Sequence, residues 1–182
     1  MSDSKIKKDY FRIYGSYPKK FIFKSLLNPN FRYLYILRKA SYHKKKSILG
    51  IFYRLLLYRY QIKYGFQIYP ETLIDEGFYL GHWGTVIINP KVKIGKNCNI
   101  AAGVTIGQTN RGKNKGTPII GNEVWIGTNA VIVGNITVGT NVLIAPNAYV
   151  TEDIPDHSIV IGNPAKYSYN IDATKGYIEN KI

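Results

Sequence analysis

The chain is poor in residues that carry covalent or metal chemistry. Its 182 residues include one cysteine, three histidines and 11 acidic residues, against 25 Lys and Arg. A single cysteine excludes an intramolecular disulfide and suits a reducing compartment. The three histidines are far apart in the sequence, at His43, His82 and His157. A histidine-based metal centre needs its ligands clustered, so no metal site is predicted.

Long apolar segments are also missing. The most apolar segment, residues 47–62, is interrupted by Arg54 and Arg59. It is shorter than the ~20 residues needed to span a bilayer. The first ten residues, MSDSKIKKDY, are polar and lead into no apolar segment, so no signal peptide is predicted. These features indicate a cytoplasmic protein.

What the chain does have is a six-residue period. Aliphatic residues recur at Ile68, Ile74, Leu80, Val86, Ile88, Ile94, Ile100, Ile106, Ile120, Ile126, Ile132, Val138, Ile144 and Val150, with one two-residue slip and one longer excursion. This period fits neither an α-helix nor an ordinary strand. It fits a parallel β-helix in which three six-residue faces make one coil of roughly 18 residues. The prediction is therefore a mainly β protein, with Gly, Asn, Asp and Pro at the corners of the coils.

The positive charge lies almost entirely before the repeats. Residues 1–65 hold 16 Lys or Arg and two acids, whereas residues 66–182 hold nine of each. The simplest interpretation is a helical module that packs on the first coil and covers its open strand edges. A second interpretation is peripheral contact of residues 1–65 with an anionic membrane. Nucleic-acid binding is a third, but no recognisable motif supports it, so no such partner is expected.

The predicted boundaries follow from these patterns. Residues 1–66 form a basic, aromatic helical module, residues 67–165 the β-helix, and residues 166–182 a tail. A loop at residues 107–119 interrupts the repeats by two residues more than two periods. It resembles a phosphate-binding loop, but Pro118 and a new coil follow it instead of a helix, which excludes nucleotide hydrolysis. Insertions in solenoids collect on the binding face, so this loop is a candidate wall of a site.

Residues 126–154, IGTNAVIVGNITVGTNVLIAPNAYVTEDI, match the hexapeptide-transferase signature, and IPDHSIVIGNPAKY resembles the closing segment of that family. Upstream, LGHWG and VIINP are similar to the start of the catalytic domain in serine acetyltransferases. They resemble still more closely the related O-acetyltransferases of bacterial surface polysaccharides, as does NPNFRYLYILRKASY. The resemblance covers roughly residues 28–170. It implies a left-handed β-helix that assembles as a homotrimer, with each site in a groove between two subunits.

The resemblance also implies a reaction: acetyl transfer from acetyl-CoA to a hydroxyl, with one general base. His82 matches the position of the family's base, and a neutral imidazole suits the task near pH 7. The positions that match the family's cofactor contacts are Gly107, Gly127, Thr128, Ala145, Pro146 and Lys166, the lysine facing the nucleotide phosphates. Carbonic-anhydrase relatives share the solenoid, but they would need histidine ligands that this chain does not cluster.

The predicted acceptor pocket departs from the serine acetyltransferase pattern at three positions. Gly81 and Gln67 stand where that family has carboxylates to hold the serine ammonium, and Thr117 stands where it has a second histidine. A less charged pocket suits a sugar. The candidate acceptor-binding residues are Tyr79, Trp83, Asn89, Gln108 and Arg111.

The sequence thus predicts an acetyl-CoA-dependent O-acetyltransferase acting on a sugar hydroxyl of a surface polysaccharide or its precursor. His82 would act as base, with direct transfer in a ternary complex. The alternative enzyme is serine O-acetyltransferase of cysteine biosynthesis. An alternative of another class is a non-catalytic trimeric scaffold that binds membranes. The predicted location is cytoplasmic, with peripheral contact at the inner membrane surface.

Overall fold

The computed structural model describes residues 2–18 and 23–182; residues 1 and 19–22 of the predicted basic module lie outside the described residues. The module contains helices α1 (Ser2–Tyr14), α2 (Pro29–Tyr42) and α3 (Ile48–Tyr64), with a 3-10 helix at Phe23–Leu27. Helix α2 begins where Asn28 accepts hydrogen bonds from the first-turn amides, and α3 begins at Ser47 in the same way. Helix α3 ends at Gly65, whose φ of 75° is the left-handed conformation that glycine adopts without strain. None of the described helices is long and apolar enough to cross a membrane.

The rest of the chain is a left-handed parallel β-helix of about five turns. Its strands are β1 (Phe66–Ile68), β2 (Leu73–Ile74), β3 (Tyr79–Leu80), β4 (Val86–Ile88), β5 (Lys93–Ile94), β6 (Asn99–Ile100), β7 (Thr105–Gly107), β8 (Ile119–Ile120), β9 (Val124–Ile126), β10 (Val131–Val133), β11 (Thr137–Val138), β12 (Val142–Ile144), β13 (Tyr149–Val150), β14 (Ser158–Ile161) and β15 (Lys166–Tyr169). Sheet 1 contains β1, β4, β7, β10 and β13; sheet 2 contains β2, β5, β8 and β11; sheet 3 contains β3, β6, β9, β12, β14 and β15.

The six-residue period forms the core of the prism, which confirms the predicted fold. Ile68, Ile88, Ile106 and Ile132 lie one above another on the inner side of sheet 1 and are completely buried. Cys98 is also buried inside, and burial raises the pKa of its thiol to about 12. A thiol in that environment stays protonated and unreactive near neutral pH, as expected of a core residue.

Two corners of the prism matter for the site. The first corner joins sheet 3 to sheet 1, and the second joins sheet 1 to sheet 2. Many left-handed positions at the corners are asparagines instead of glycines, including Asn97, Asn129, Asn141 and Asn147. Asparagine tolerates this conformation better than other side chains do. The strand registers place the corners of successive coils one above another.

The helical module closes the amino-terminal end of the solenoid. Arg38 of α2 donates to the carbonyl oxygens of Ile74 and Asp75 in the first coil. The same guanidinium forms a buried ion pair with Asp9 of α1, 2.8 Å from Nε to Oδ2. Tyr33 donates its hydroxyl hydrogen to the Ile68 carbonyl. The helices thus satisfy backbone groups that no preceding coil is present to pair.

The other end is closed differently. Strand β15 runs antiparallel to β14, and the tail then turns back along the outer face of sheet 3. Tyr177 packs its ring against Trp125, with centroids 4.7 Å apart. Asn99 donates to the Tyr177 carbonyl, and Asn97 bonds to Ile182. The outer face of sheet 3 is therefore covered by the chain itself.

Candidate active site

The turn that carries His82 is held from three sides. It follows β3 at the first corner, where the Gly81 amide donates to the carbonyl of Ile100 in the next coil at 3.0 Å. The side-chain amide of Asn30, in α2, donates to the Gly81 carbonyl at 3.1 Å. On the far side of the turn, the Gly84 amide donates to the carbonyl of Tyr64 at the end of α3, also at 3.0 Å. The helical module thus fixes the backbone on both sides of His82.

The His82 side chain itself is exposed, and within residues 2–18 and 23–182 it makes no side-chain hydrogen bond. An imidazole that is free of internal partners, on a turn whose backbone is fixed, can accept a proton from a bound hydroxyl without first breaking another contact. That is the arrangement that a general base requires.

Four of the predicted cofactor positions lie in the same corner as His82. The register of sheet 3 stacks Gly81 over Ala101, Gly127 and Ala145, and each amide donates to a carbonyl of the next coil. His82 correspondingly stands over Ala102, Thr128 and Pro146. Adjacent coils are about 4.8 Å apart, so His82 and Pro146 are separated by about 14 Å along the corner.

Lys166 stands at the lower end of this corner, because it pairs with Ile161, one coil beyond Ala145. Its side chain is exposed. The corner therefore has an exposed histidine on a fixed turn at one end, small side chains in between, and an exposed cation at the other end. Those features suit an extended ligand with a phosphorylated end, such as acetyl-CoA. Gly127 also has a purely structural role, because an added Cβ would lie 2.7 Å from the Pro146 nitrogen.

The remaining cofactor candidate lies elsewhere. Gly107 ends β7 in sheet 1 and therefore lies at the second corner, directly below Asn89. Gln108 and Arg111 follow in the loop that leaves the prism there, and both are exposed. Within one chain, the predicted site residues therefore lie at two separate corners, on opposite sides of sheet 1.

The protruding loop is folded against the prism instead of extending freely. Thr109 and Gly116 exchange two backbone hydrogen bonds of 3.0 Å, which makes a small hairpin. The Asn114 carbonyl accepts from the Asn135 amide, and the Asn114 side chain donates to the Thr151 carbonyl at 2.8 Å. The loop therefore forms a fixed ridge along the second corner.

The two aromatic acceptor candidates differ in position. Trp83, next to His82, is 64% exposed. Tyr79 lies on the outer side of sheet 3, beside a cavity of about 270 Å³ that Arg12, Asn99 and Tyr177 also line. A Cβ added to Gly81 would lie 3.6 Å from Cε1 of Tyr79, so the Tyr79 ring borders the His82 turn.

The other histidines are placed apart from His82. His43 stacks its ring on Tyr53 at 5.5 Å, and His157 bonds to the side chain of Asn141 at 2.9 Å. Among the described residues, no group of three or more His, Cys, Asp or Glu is arranged to hold a metal ion. No acidic side chain of the described residues forms an ion pair with His82.

One residue of this arrangement was not predicted from the sequence. Asn30 stands in the helix-start segment NPN, where it reads only as part of a helix cap. Its contact with Gly81 joins positions 51 residues apart in the chain. No periodicity or local motif signals such a contact, because it depends on how α2 crosses the first coil.

Comparison with known proteins agrees with the architecture. Residues 117–152 match the family described as bacterial transferase hexapeptide (six repeats), and residues 87–108 match the hexapeptide repeat of succinyl-transferase. The structure is similar to the serine acetyltransferase of Neisseria gonorrhoeae in complex with serine. Their TM-score is 0.74 at 28% identity, over 92% of this chain and 69% of that one.

Relatives by sequence include the serine acetyltransferase of Helicobacter pylori, 35% identical over 102 residues, which are 56% of this chain and 60% of that protein. The enzyme of Staphylococcus xylosus is 34% identical over 130 residues, 71% of this chain and 59% of that protein. Serine acetyltransferase 2 of Arabidopsis thaliana is 38% identical over 103 residues, but this chain spans only 32% of its length. The names of these relatives favour the serine subgroup and give no support to the polysaccharide subgroup expected from the sequence. By its repeats, its fold and these similarities, the chain resembles the hexapeptide-repeat acetyltransferases, and it spans about 60% or less of the length of these curated relatives.

Proposed function

We propose that this protein transfers an acetyl group from acetyl-CoA to a hydroxyl group, with His82 as the general base. The observation that carries the proposal is the His82 turn: an exposed imidazole on a backbone fixed by Ile100, Asn30 and Tyr64, at the head of a corner of small residues. The names of the relatives support serine as the acceptor. This chain spans 60% of the length of the Helicobacter pylori enzyme and 32% of the length of the Arabidopsis thaliana enzyme. Its activity is therefore inferred from the site and not from the names of the relatives alone.

The reaction requires few catalytic groups from the protein. Acetyl-CoA supplies an activated thioester carbonyl. His82 takes the proton of the acceptor hydroxyl as the hydroxyl oxygen bonds to the carbonyl carbon. The C–S bond then breaks, and the proton passes from His82 to the departing sulfur, so the imidazole returns to its neutral form. Negative charge develops on the carbonyl oxygen during attack and requires N–H donors near it. No acyl-enzyme is formed in this scheme.

A sugar hydroxyl is the second candidate acceptor, and one observation favours it. A serine pocket needs an anion for the ammonium group, yet Gly81 and Gln67 supply none at the positions that resemble the family's acids. The nearest exposed side chain to His82 in sequence is instead the aromatic Trp83. An aromatic wall without carboxylates suits a sugar ring. In that case, contact of the basic residues 1–65 with an anionic membrane would bring the protein near lipid-linked acceptors.

The assembly is part of the same proposal. His82 and the protruding loop lie at opposite borders of sheet 1, so one chain does not bring them together. If three copies turn sheet 1 toward a common axis, the first corner of each copy meets the second corner of its neighbour. His82 would then face Gly107, Gln108 and Arg111 of the adjacent copy. A homotrimer with shared sites is the assembly we infer.

The test measures free thiol released from acetyl-CoA, with serine and with a panel of sugars and glycans as acceptors. The wild type is compared with His82→Ala and with His157→Ala as the matched control. We expect His82→Ala to lose about 10²–10⁴-fold in turnover, as removal of a general base does, and His157→Ala to keep wild-type turnover. Turnover with serine alone supports the serine acceptor, and turnover with a glycan alone supports the sugar.

Two outcomes would reject the proposal. Acetyl-CoA binding without thiol release for any acceptor would favour the non-catalytic scaffold. Stoichiometric labelled acetyl retained on the protein without an acceptor would contradict direct transfer and show an acyl-enzyme instead.

A further inference from the structure

Helix α3 leaves a long apolar face uncovered. One side of the helix packs on α2 and on the first coil, where Gly50 and Leu57 are buried. The opposite side carries exposed large apolar residues: Ile48, Leu49, Ile51, Phe52, Leu55, Tyr58 and Ile62. Leu55 is 66% exposed and Ile62 is 70% exposed. A continuous apolar face of this kind on a soluble domain marks an interaction surface.

The spacing of this face identifies the kind of partner. Ile48, Leu55 and Ile62 are seven residues apart, and Ile51 and Tyr58 stand three residues after the first two of them. These are the a and d positions of a heptad repeat, which places one seam of side chains along a helix. The first heptad has isoleucine at both a and d, a combination that favours assemblies of more than two strands, whereas the second has Leu55 and Tyr58. We call these five residues the α3 seam.

The α3 seam continues onto the β-helix. Tyr58 and Ile62 line a groove of about 460 Å³ together with Gln67 and Ile87 on the outer side of sheet 1. Further along sheet 1, the outward position of Ile87 is followed by Thr105, Val131 and Tyr149 in register. The helix and sheet 1 therefore present one surface on the same side of the molecule, from the helical module to the last coils.

We propose that the α3 seam packs against the same seam of two other copies, in parallel, about a threefold axis that sheet 1 also faces. This inference rests on the trimer of the proposed function and names the contact that holds it. The seam is short, about 25 Å for 17 residues, so the helices alone would associate weakly. Its continuity with sheet 1 adds the contact area that a stable trimer needs.

Threefold symmetry requires the three helices to be parallel, and in that arrangement cations flank the seam. Helix α3 contains no acid, while Arg59 and Lys63 lie beside its carboxyl-terminal half and Lys44, Lys45 and Lys46 precede its start. Antiparallel pairing of two seams would bring Lys46 and its neighbours of one copy toward Lys63 of the other, with no anion between them. In a parallel ring, Arg54 and Arg59 occupy the g and e positions beside the seam, and Arg54 is paired there with Glu71 of its own copy at 2.7 Å. The same cations would also suit an anionic membrane, which the test must therefore distinguish.

The first experiment compares Leu55→Glu with Leu49→Glu by sedimentation and by circular dichroism. Both side chains are exposed on the same helix, but Leu49 lies outside the α3 seam. We expect the wild type and the Leu49→Glu variant to be trimeric. In the Leu55→Glu variant the dissociation constant of the trimer should rise at least about tenfold, because three carboxylates meet at one layer of the seam. Helical content should stay unchanged in both. A Leu55→Glu trimer as tight as the wild type would overturn the inference.

The second experiment uses Ile62→Cys, since the native thiol at Cys98 is buried and does not compete. A parallel seam brings the three introduced cysteines together, so oxidation should link chains at position 62. Antiparallel pairing would keep them apart, and absence of cross-links in a trimeric sample would reject the arrangement.

Vesicles of phosphatidylglycerol complete the comparison. Binding that Leu55→Glu abolishes while the trimer persists would assign the face to a membrane and overturn the inference. Thiol release from acetyl-CoA is measured in parallel on wild type. A trimeric wild type without turnover would contradict the proposed reaction while leaving the seam standing. A catalytically active monomer would contradict both the seam and the sites shared between copies, while leaving the proposed reaction standing.

Discussion

At the scale of single residues, the position of His82 depends on a side chain outside the solenoid. Asn30 holds the Gly81 carbonyl, and its own Oδ1 is buried without a hydrogen-bond partner among the described residues. Leaving this oxygen unpaired costs stability, while the amide nitrogen of the same side chain orients the turn that carries the proposed base. We regard Asn30 as a positioning residue.

Replacement of Asn30 by alanine should therefore lower kcat about tenfold with little change in KM for acetyl-CoA, because the base is displaced while the cofactor corner is intact. Steady-state kinetics check this. The control is Asn170→Ala, whose side chain accepts from the Asp172 amide of its own turn and lies outside the proposed site. A loss in the Asn30 variant that appears in KM alone would show that Asn30 does not position the base.

Gly81 is a position at which a substitution can separate the two proposed acceptors. A Cβ there meets only ordinary contacts, at 3.6 Å from Tyr79 and 3.8 Å from the Ile100 carbonyl, and no positive φ opposes a side chain. Gly81→Asp should fold normally and place a carboxylate beside His82. If the acceptor is a sugar, the variant should gain serine turnover, because the new carboxylate can pair with the ammonium group.

The measurement is kcat/KM for serine in Gly81→Asp against Gly81→Asn, which has the same shape without the charge. A gain of about tenfold in the aspartate variant alone would show that the missing charge excludes serine. Wild-type turnover with serine that exceeds that of both variants would show that this chain binds serine without a carboxylate at position 81.

At the scale of elements, the helical module covers the first coil and also carries the positive charge of the chain. Its firmest connection is the Asp9–Arg38 pair, which joins α1 to α2 while Asp9 also accepts from the Phe78 amide at 3.0 Å. Arg38 in turn holds two carbonyls of the first coil. Three elements thus meet at one buried carboxylate.

Asp9→Ala should lower the free energy of unfolding by about 3–5 kcal/mol, because it leaves the Arg38 guanidinium buried without its partner. The control is Asp3→Ala on the same helix, whose carboxylate pairs with Lys39 while 79% exposed and should contribute less than about 1 kcal/mol. Urea unfolding at a fixed protein concentration measures both. Equal effects of the two substitutions would contradict the role given to Asp9.

At the scale of the whole molecule, the proposed trimer makes the two corners that border sheet 1 part of sites shared between copies. We predict that His82→Ala and a variant with residues 110–115 replaced by a short turn are each inactive alone. Co-expressed, they should recover about a quarter of wild-type turnover, because each site draws its base and its loop from different copies at random. Thiol release by the purified mixture is the measurement. No recovery in mixed trimers would show that one copy supplies the whole site.

The sequence by itself determined the solenoid, because a six-residue period of aliphatic residues can be buried only by a prism with three faces. The LGHWG segment also indicated His82 as the candidate base. Hydrophobic periodicity is local, so it can be read without knowing which elements meet. Even the split of charge between the first 65 residues and the rest is visible in the sequence alone.

Only the tertiary structure decided which candidates lie together. Thr128 and Pro146 stack below His82, whereas Gly107 stands at another corner, because register between coils depends on the whole count of residues per turn. The Asn30 contact and the uncovered α3 seam depend on how α2 and α3 cross the first coil. Such crossings are set by packing between distant segments, and no period in the chain encodes them.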